Sequence, residues 1–242
     1  MSSEGAFVTL RGFVLPGGLR TRPGLRGRSH GSRVAGRVLD RSFYERDPRE
    51  VAPDLLGKVL VRGEVAARIV EVEAYGGGDD PGSHAWKGPS RRNATMFGRP
   101  GLLYVYFTYG MHWCANAVCG REGEGSAVLL RAAAPLAGLE TMKSRRVKAR
   151  TERDLLSGPA KLCQAFGIDG SADGADLVTG DEGIVILDDG VRPRGICVST
   201  RIGLSRGAEF PWRWFVEGDP NVSRGGSRVV RSDSQGRNRP RG

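Results

Sequence analysis

Residues 58–75 read KVLVRGEVAARIVEVEAY. The β-branched run at 58–62 predicts a strand, Gly63-Glu64 predicts a turn, and residues 67–75 predict the returning strand of a hairpin. The same signals predict further strands at 102–108, 113–119, 127–132, 184–187, 195–198 and 215–217. So many short strands and hairpins favour an antiparallel sheet.

Three segments between the strands predict helices. Residues 51–56 stop at Gly57 and residues 158–166 stop at Gly167, and glycine is a common helix terminator. Residues 138–150 form the third predicted helix. The expected fold is therefore α+β: a single domain around a curved antiparallel β-sheet with flanking helices and a protruding β-hairpin.

The net charge of +10 lies entirely in the two ends of the 242-residue chain. Residues 1–40 hold seven Arg against two acidic residues, residues 224–242 hold six Arg against one, and residues 41–223 hold 24 basic and 24 acidic residues. The ends are rich in Gly, Arg and Ser and poor in apolar residues, a composition that predicts disorder. We therefore expect a folded domain at 41–223 between disordered basic tails at 1–40 and 224–242.

Composition also excludes several classes of protein. No run of about 18 apolar residues is present, so we expect no membrane span. The four Cys form no CxxC pair and only three His are present, so neither a structural metal site nor a disulfide framework is expected. A reducing compartment is favoured.

The first candidate site lies on the strand at 67–75. Strand side chains alternate, so Glu71, Glu73 and Tyr75 share one face. On this segment alone, a solvent-exposed strand face is the favoured interpretation. The alternative is a partly desolvated carboxylate, beside an aromatic ring, that acts as a general base with a raised pKa.

Aromatic and basic residues form the other candidates. Three of the five Tyr, at 104, 106 and 109, fall within six residues, which suits either sheet packing or stacking on planar ligands such as nucleobases. Basic clusters at 87–99 and 143–150 suit either a solvated face or a phosphate-binding face. Ser157 and Pro159 predict a capped helix start, which together with Lys161 suits phosphate binding.

Six segments carry a resemblance to a known family. They are DLLGKVLVR (54–62), ARIVEVEAYGGGDDPGSHA (67–85), RRNATMFGRPGLLYVYFTYGMHWCANAV (91–118), AVLLRAAAPLAGLETM (127–142), SGPAKLCQAFGI (157–168) and RIG (201–203). Together they resemble the alkyladenine (3-methyladenine) DNA glycosylase family across about 41–223.

The resemblance implies a role for each matched residue. Glu73 matches the general base that activates water, and Arg131 matches a group that positions this water. The walls of the pocket for the flipped base correspond to Tyr75, His84 and Tyr106, with Asn116 discriminating against the amine of guanine. Tyr109 matches the residue that intercalates into DNA, and the residues expected near the DNA backbone are Met111, Arg91, Arg92, Ser157, Gly158 and Lys161.

The implied function is a monofunctional DNA glycosylase of base excision repair. Such an enzyme flips alkylated or deaminated purines out of the duplex and hydrolyses the N-glycosidic bond, leaving an abasic site. No metal or cofactor is required, and the expected partner of this monomer is double-stranded DNA that contains damaged purines. The expected location is the cytoplasm at the nucleoid in a bacterium, or the nucleus in a eukaryote.

Three departures and two alternatives accompany the resemblance. Asn221 stands where the family often has an aromatic residue and Trp214 where Phe is expected, and the segment from 84 to 93 is shorter than in the mammalian type. One alternative is a nucleic-acid-binding module without catalysis. The other is a metal-dependent hydrolase whose ligands are drawn from Glu71, Glu73, Asp79, Asp80 and His84.

Overall fold

The computed structural model describes residues 7–9, 34–225 and 230–231. Within them, the strands are β1 (Phe7–Thr9), β2 (Ala35–Val38), β3 (Val59–Arg62), β4 (Val65–Gly76), β5 (Leu103–Thr108), β6 (His112–Cys119), β7 (Ser126–Ala137), β8 (Ile184–Asp188), β9 (Ile196–Ser199), β10 (Arg213–Val216) and β11 (Val230–Arg231). The helices are α1 (Arg41–Tyr44), α2 (Pro48–Leu55), α3 (Leu139–Arg145), α4 (Arg153–Leu156) and α5 (Pro159–Phe166), with 3-10 turns at Gly77–Asp79, Ala94–Phe97 and Gly170–Ala172.

All of these strands join one antiparallel sheet, which confirms the α+β class. The main path runs β1-β2-β8-β3-β4-β10-β9-β11, and a branch leaves β4 through β7 and β6 to β5. β4 is the branch point because it pairs with β3 at one end, with β10 near the other, and with β7 along most of its length. Both carboxylates of the candidate site therefore lie in the interior of the sheet.

The main hydrophobic core lies between the sheet and the helices. Apolar side chains of α2 and α5, including Val51, Leu55 and Phe166, pack with Ile69 and Val72 of β4. The opposite side of the sheet holds a smaller aromatic cluster around Tyr104. Because both of its faces are covered, β4 is buried along most of its length.

α5 agrees with the prediction, but α2 begins at Pro48, three residues before its predicted start, because Asp47 caps it and proline suits its first turn. The short helices α1 and α4 were not predicted. α5 begins with Pro159 and ends before Gly167, whose φ of +66° suits glycine. α3 stops at Arg145 instead of continuing to residue 150. After the buried Met142, the next apolar residue, Val147, is 81% exposed, so no buried face supports a longer helix.

The N-terminal boundary of the folded domain needs correction. β2 lies inside the segment predicted to be a disordered tail, yet it pairs with β8 and is flanked by the buried Val34 and Leu39. The prediction of disorder is therefore wrong for 35–38. The segment has few apolar residues, but hydrogen bonds to β8 stabilise it as a strand. Short strands β1 and β11 also fall in the predicted tails, as do the described residues 34, 39–40 and 224–225, and the rest of the tails lies outside the described part.

Among the helices of the described residues, none is long and apolar enough to cross a membrane.

Candidate active site

Two facing β-bulges shape the centre of the site. Along the β4–β7 ladder, Ile69 pairs with Ala133 and Glu71 with Ala132, but Val72 pairs with Leu130. Val70 on one strand and Arg131 on the other are thus left out of the ladder. Because a bulge redirects the side chain of its extra residue, Arg131 reaches the side on which the carboxylates lie.

Glu73 is fully buried and hydrogen-bonded at both oxygens. Oε2 accepts from the Tyr75 hydroxyl at 2.9 Å and lies 3.0 Å from Nη1 of Arg131. Oε1 accepts from the backbone N–H of Ile202 at 2.8 Å. The interpretation of this strand face as solvent-exposed is therefore wrong, because residues distant in the sequence cover it.

Glu71 is equally buried and accepts four hydrogen bonds. Its Oε1 lies 2.8 Å from Nε of Arg131, 2.7 Å from Nε of Arg213 and 2.8 Å from the Ser223 hydroxyl. Its Oε2 accepts from the Ser223 backbone N–H at 2.7 Å. Burial alone raises the pKa of Glu71, but attraction to the two arginines outweighs it and holds the pKa below its ordinary value.

Arg131 bridges the two carboxylates. Its Nε is bonded to Glu71, while Nη1 is bonded to Glu73. Burial lowers the pKa of Arg131, yet the two adjacent carboxylates raise it well above the ordinary value. The guanidinium is therefore a fixed positive charge whose orientation is set from both ends.

Next to Glu73 lies a narrow aromatic cleft of about 340 Å³, including its open mouth. The lining residues are Tyr75, Gly82, His84, Met96, Tyr104, Tyr106, Asn116 and Leu204. The ring centroids of His84 and Tyr106 lie 4.5 Å apart at an interplanar angle of 80°. All four residues predicted for the base pocket are thus brought together, and Tyr104 joins them.

Hydrogen bonds fix the orientation of the cleft walls. Tyr104 Oη lies 3.1 Å from Nδ1 of His84, and its backbone carbonyl accepts from the Asn116 amide at 3.0 Å. Partial burial and nearby Arg92 lower the pKa of His84, which favours a neutral imidazole. Burial raises the pKa of Tyr104 to about 12 and holds the pKa of Tyr75 well above its ordinary value, so both phenols remain protonated at neutral pH.

A buried ion pair behind Tyr75 supports the cleft. Arg201 donates to both carboxylate oxygens of Asp80 at 2.5 and 2.7 Å, and both side chains are fully buried. The guanidinium carbon lies 4.7 Å from the centroid of the Tyr75 ring and 5.0 Å from that of Trp212. Arg201 lies in the RIG segment that carries the resemblance, but no local sequence pattern predicts its role, because its partner Asp80 lies 121 positions away.

These contacts also bear on the metal-site alternative. Of its five proposed ligands, Glu71, Glu73 and Asp80 are each paired with a guanidinium. Among the described residues, no three His, Cys, Asp or Glu side chains are grouped so as to hold a metal ion.

The β5–β6 hairpin presents its tip to solvent. Thr108 pairs with His112, so a three-residue loop of Tyr109, Gly110 and Met111 joins the strands. Tyr109 is 80% exposed and Met111 is 68% exposed. Among the described residues, Tyr109 alone combines a positive φ, 51°, with a side chain larger than hydrogen.

On the other side of Arg131 lies a polar groove. Ser157, Gly158 and Lys161 line it together with Arg131 and Ser223. Ser157 forms a bridge to Ala132 and accepts from Lys161 Nζ at 3.2 Å. The prediction that Ser157 caps α5 is wrong, because Gly158 occupies the cap position and no side chain caps the helix.

The predicted basic residues separate into different surfaces. Arg91 and Arg92 are exposed near the hairpin, and Arg92 donates to the carbonyl of Phe107 at 2.9 Å. Arg146 and Lys148 line a further groove together with Met111. Neither surface includes the groove beside Arg131.

Comparison with known proteins gives a consistent result. A family model described as methylpurine-DNA glycosylase matches residues 42–220. A protein of Burkholderia lata, provisionally named a 3-methyladenine DNA glycosylase, is 52% identical over 193 residues, covering 79% of this chain and 93% of that protein. Proteins with the same provisional name are 47% identical in Streptomyces avermitilis (192 residues; 76% and 90% covered) and 46% identical in Methanocella arvoryzae (194 residues; 77% and 96% covered).

Proposed function

Since the chain belongs to the methylpurine-DNA glycosylase family and is a hydrolytic DNA glycosylase, we propose that it flips alkylated or deaminated purines out of duplex DNA and releases them with water activated by Glu73. The observation that carries this proposal is the position of Glu73. This buried carboxylate lies beside an aromatic cleft and is bonded to Arg131, which lines a polar groove.

The two concavities suit the two ends of a nucleotide. The flipped base enters the cleft between Tyr75 and Tyr106, and the DNA backbone follows the groove that holds Ser157 and Lys161. The deoxyribose then lies next to Glu73 and Arg131. Tyr109 occupies the gap that the flipped base leaves in the duplex, since an aromatic side chain at an exposed hairpin tip suits insertion between bases.

The chemistry is hydrolysis at the anomeric carbon. A water held by Glu73 and Arg131 transfers a proton to Glu73 while its oxygen bonds to the anomeric carbon. The glycosidic bond breaks, and the purine leaves with the bonding electron pair. The negative charge of Glu73 also stabilises the oxocarbenium character that develops on the sugar.

The cleft favours purines that alkylation has made cationic. A positive charge improves the leaving group and strengthens stacking on the electron-rich rings of Tyr75 and Tyr106. Asn116, whose amide is held by the carbonyl of Tyr104, forms a fixed polar wall that discriminates against the exocyclic amine of guanine. Unmodified guanine is therefore the base that this wall rejects.

The test is Glu73→Gln, with Glu140→Gln on the exposed face of α3 as the matched control. We expect single-turnover excision of a methylated purine to fall by about 10³-fold in Glu73→Gln, while affinity for the same duplex stays within about twofold. The control variant should excise normally. An unchanged excision rate in Glu73→Gln would remove this residue from the mechanism.

Further measurements separate this proposal from its competitors. A water nucleophile predicts no covalent protein–DNA adduct after borohydride treatment, whereas a lysine nucleophile gives a trapped Schiff base. A metal-dependent hydrolase would lose activity in EDTA. A non-catalytic nucleic-acid-binding module would bind the damaged duplex and release no base.

A further inference from the structure

Glu71 has no task in the mechanism above, although it is a fully buried acid at the centre of the sheet. Burying a carboxylate is costly unless it is paired and hydrogen-bonded. Glu71 meets that cost with two arginines and with both donors of a single residue, Ser223. An arrangement this complete beside the proposed base points to a role in the site.

We propose that Glu71 and Ser223 are positioning residues that hold Arg131 in the orientation that leaves Glu73 able to accept a proton. The proposal rests on the function proposed above. Both act on the chemical step through Arg131; Ser223 also lines the groove, but its hydroxyl and its backbone N–H are both bonded to Glu71.

Arg131 adopts a geometry that Glu71 constrains. An unrestrained guanidinium prefers a bidentate pairing in which two of its nitrogens bind both oxygens of one carboxylate. Here the guanidinium is shared: its Nε is bonded to Glu71 at 2.8 Å, while its Nη1 lies 3.0 Å from Oε2 of Glu73. By occupying Nε, Glu71 prevents Arg131 from turning that edge toward Glu73 and forming a side-on bidentate pair with it.

Ser223 fixes Glu71 in turn. Its hydroxyl donates to Oε1 at 2.8 Å and its backbone N–H donates to Oε2 at 2.7 Å, so the plane of the carboxylate is set from the C-terminal segment. Arg213 adds a third restraint from β10, and its Nη1 is itself bonded to the Ser199 hydroxyl at 2.8 Å. Ser223 lies beyond residue 220, where the family match ends, yet it lines the groove beside Arg131.

The experiment compares Ser223→Ala, Ser223→Thr and Asn221→Ala in the full chain. Asn221 lies in the same segment, but its side chain bonds locally to Asp219, which makes it the matched control. We expect Ser223→Ala to slow single-turnover excision at saturating enzyme about fivefold, because a hydrogen bond to a charged group is lost. Its Kd for the damaged duplex should change less than twofold. Ser223→Thr keeps the hydroxyl and should restore most of the rate.

Each remaining outcome contradicts the proposal. A wild-type rate in Ser223→Ala, an equal loss in Ser223→Thr, or an equal loss in Asn221→Ala would show that the hydroxyl does not position the site. Glu71→Gln supplies a second variant: in folded protein with unchanged DNA affinity, a rate equal to wild type would also overturn the proposal. Failure of the proposed function is distinguished separately, because then wild-type protein releases no base.

Discussion

Tyr109 has an unusual combination of conformation and exposure. Its backbone adopts the left-handed region at φ 51°, which costs a residue other than glycine about 1–2 kcal/mol, and its ring is 80% exposed. Nothing in the free protein repays this strain through burial of the ring. A role in binding explains why a large aromatic side chain stands at this position.

Tyr109→Gly tests the backbone strain and the exposed ring separately, because it removes both and each affects a different measurement. Glycine relieves the backbone strain, so we expect the thermal midpoint of unfolding to be equal to or higher than that of the wild type. Excision from duplex DNA should fall about tenfold, because nothing fills the gap left by the flipped base. Tyr109→Phe keeps the ring and serves as the control. Wild-type excision in Tyr109→Gly would disprove intercalation by this residue.

Alternation along β4 correctly predicted that Glu71, Glu73 and Tyr75 lie together, but it did not predict their burial. The residues that cover and neutralise Glu71 come from far along the chain: Arg131 is 60 residues away and Arg213 is 142 residues away. No local pattern carries that information. The resemblance supplied Arg131, whereas Ser223 was placed at the last position before the tail and received no role.

The loop after β4 depends on one glycine. Gly77 has a φ of +60°, and a Cβ at this position would collide with the carbonyl oxygen of Glu124. The loop carries Asp80, which accepts from the backbone N–H groups of Gly76 and Gly82 and pairs with Arg201. Tyr75 immediately precedes this loop, so its position in the cleft depends on the same turn.

Gly77→Ala should therefore destabilise the protein by about 1–3 kcal/mol in denaturant unfolding. Gly78→Ala is the matched control. At residue 78 the added methyl group would meet open space, and the backbone has no positive φ. We expect the control to unfold like the wild type. Equal stability of the two variants would show that the turn tolerates a side chain at residue 77.

Helices and strands that are marked by their own residues were predicted well. Those that are stabilised mainly by contacts with distant segments were not. Proline at the start and glycine at the end define α5, and β-branched and aromatic residues define β3 and β5. β2 has only four residues and is held by pairing with β8, so its composition alone did not reveal it. α3 was predicted too long because cationic residues are compatible with a helix but do not bury a face.

The charge distribution of the whole chain suggests that different parts attract DNA and recognise the damaged base. Residues 41–223 carry equal numbers of basic and acidic residues, whereas the ends carry the excess of arginine. Arginines near DNA release counterions and make binding depend on salt. We therefore assign the terminal arginines a role in affinity but none in the chemical step.

Replacing Arg237, Arg239 and Arg241 with Gln tests this division. The slope of log K for DNA against log salt should become shallower by up to about 3 units, since about 0.9 units are lost for each phosphate contact. Single-turnover excision at saturating enzyme should not change. Replacement of the same residues with Lys keeps the charge and should keep the slope. An unchanged slope in the Gln variant would exclude these arginines from DNA binding.

The span between Glu71 and Ser223 has a consequence for protein synthesis. The two bonded residues are 152 positions apart, and they join the centre of the sheet to the segment that follows β10. A nascent chain folds from its N-terminus, and contacts between distant residues form late. The ribosome must therefore release nearly the whole domain before the carboxylate network can close, so incomplete translation products hold Glu73 without the contacts proposed to position Arg131 beside it.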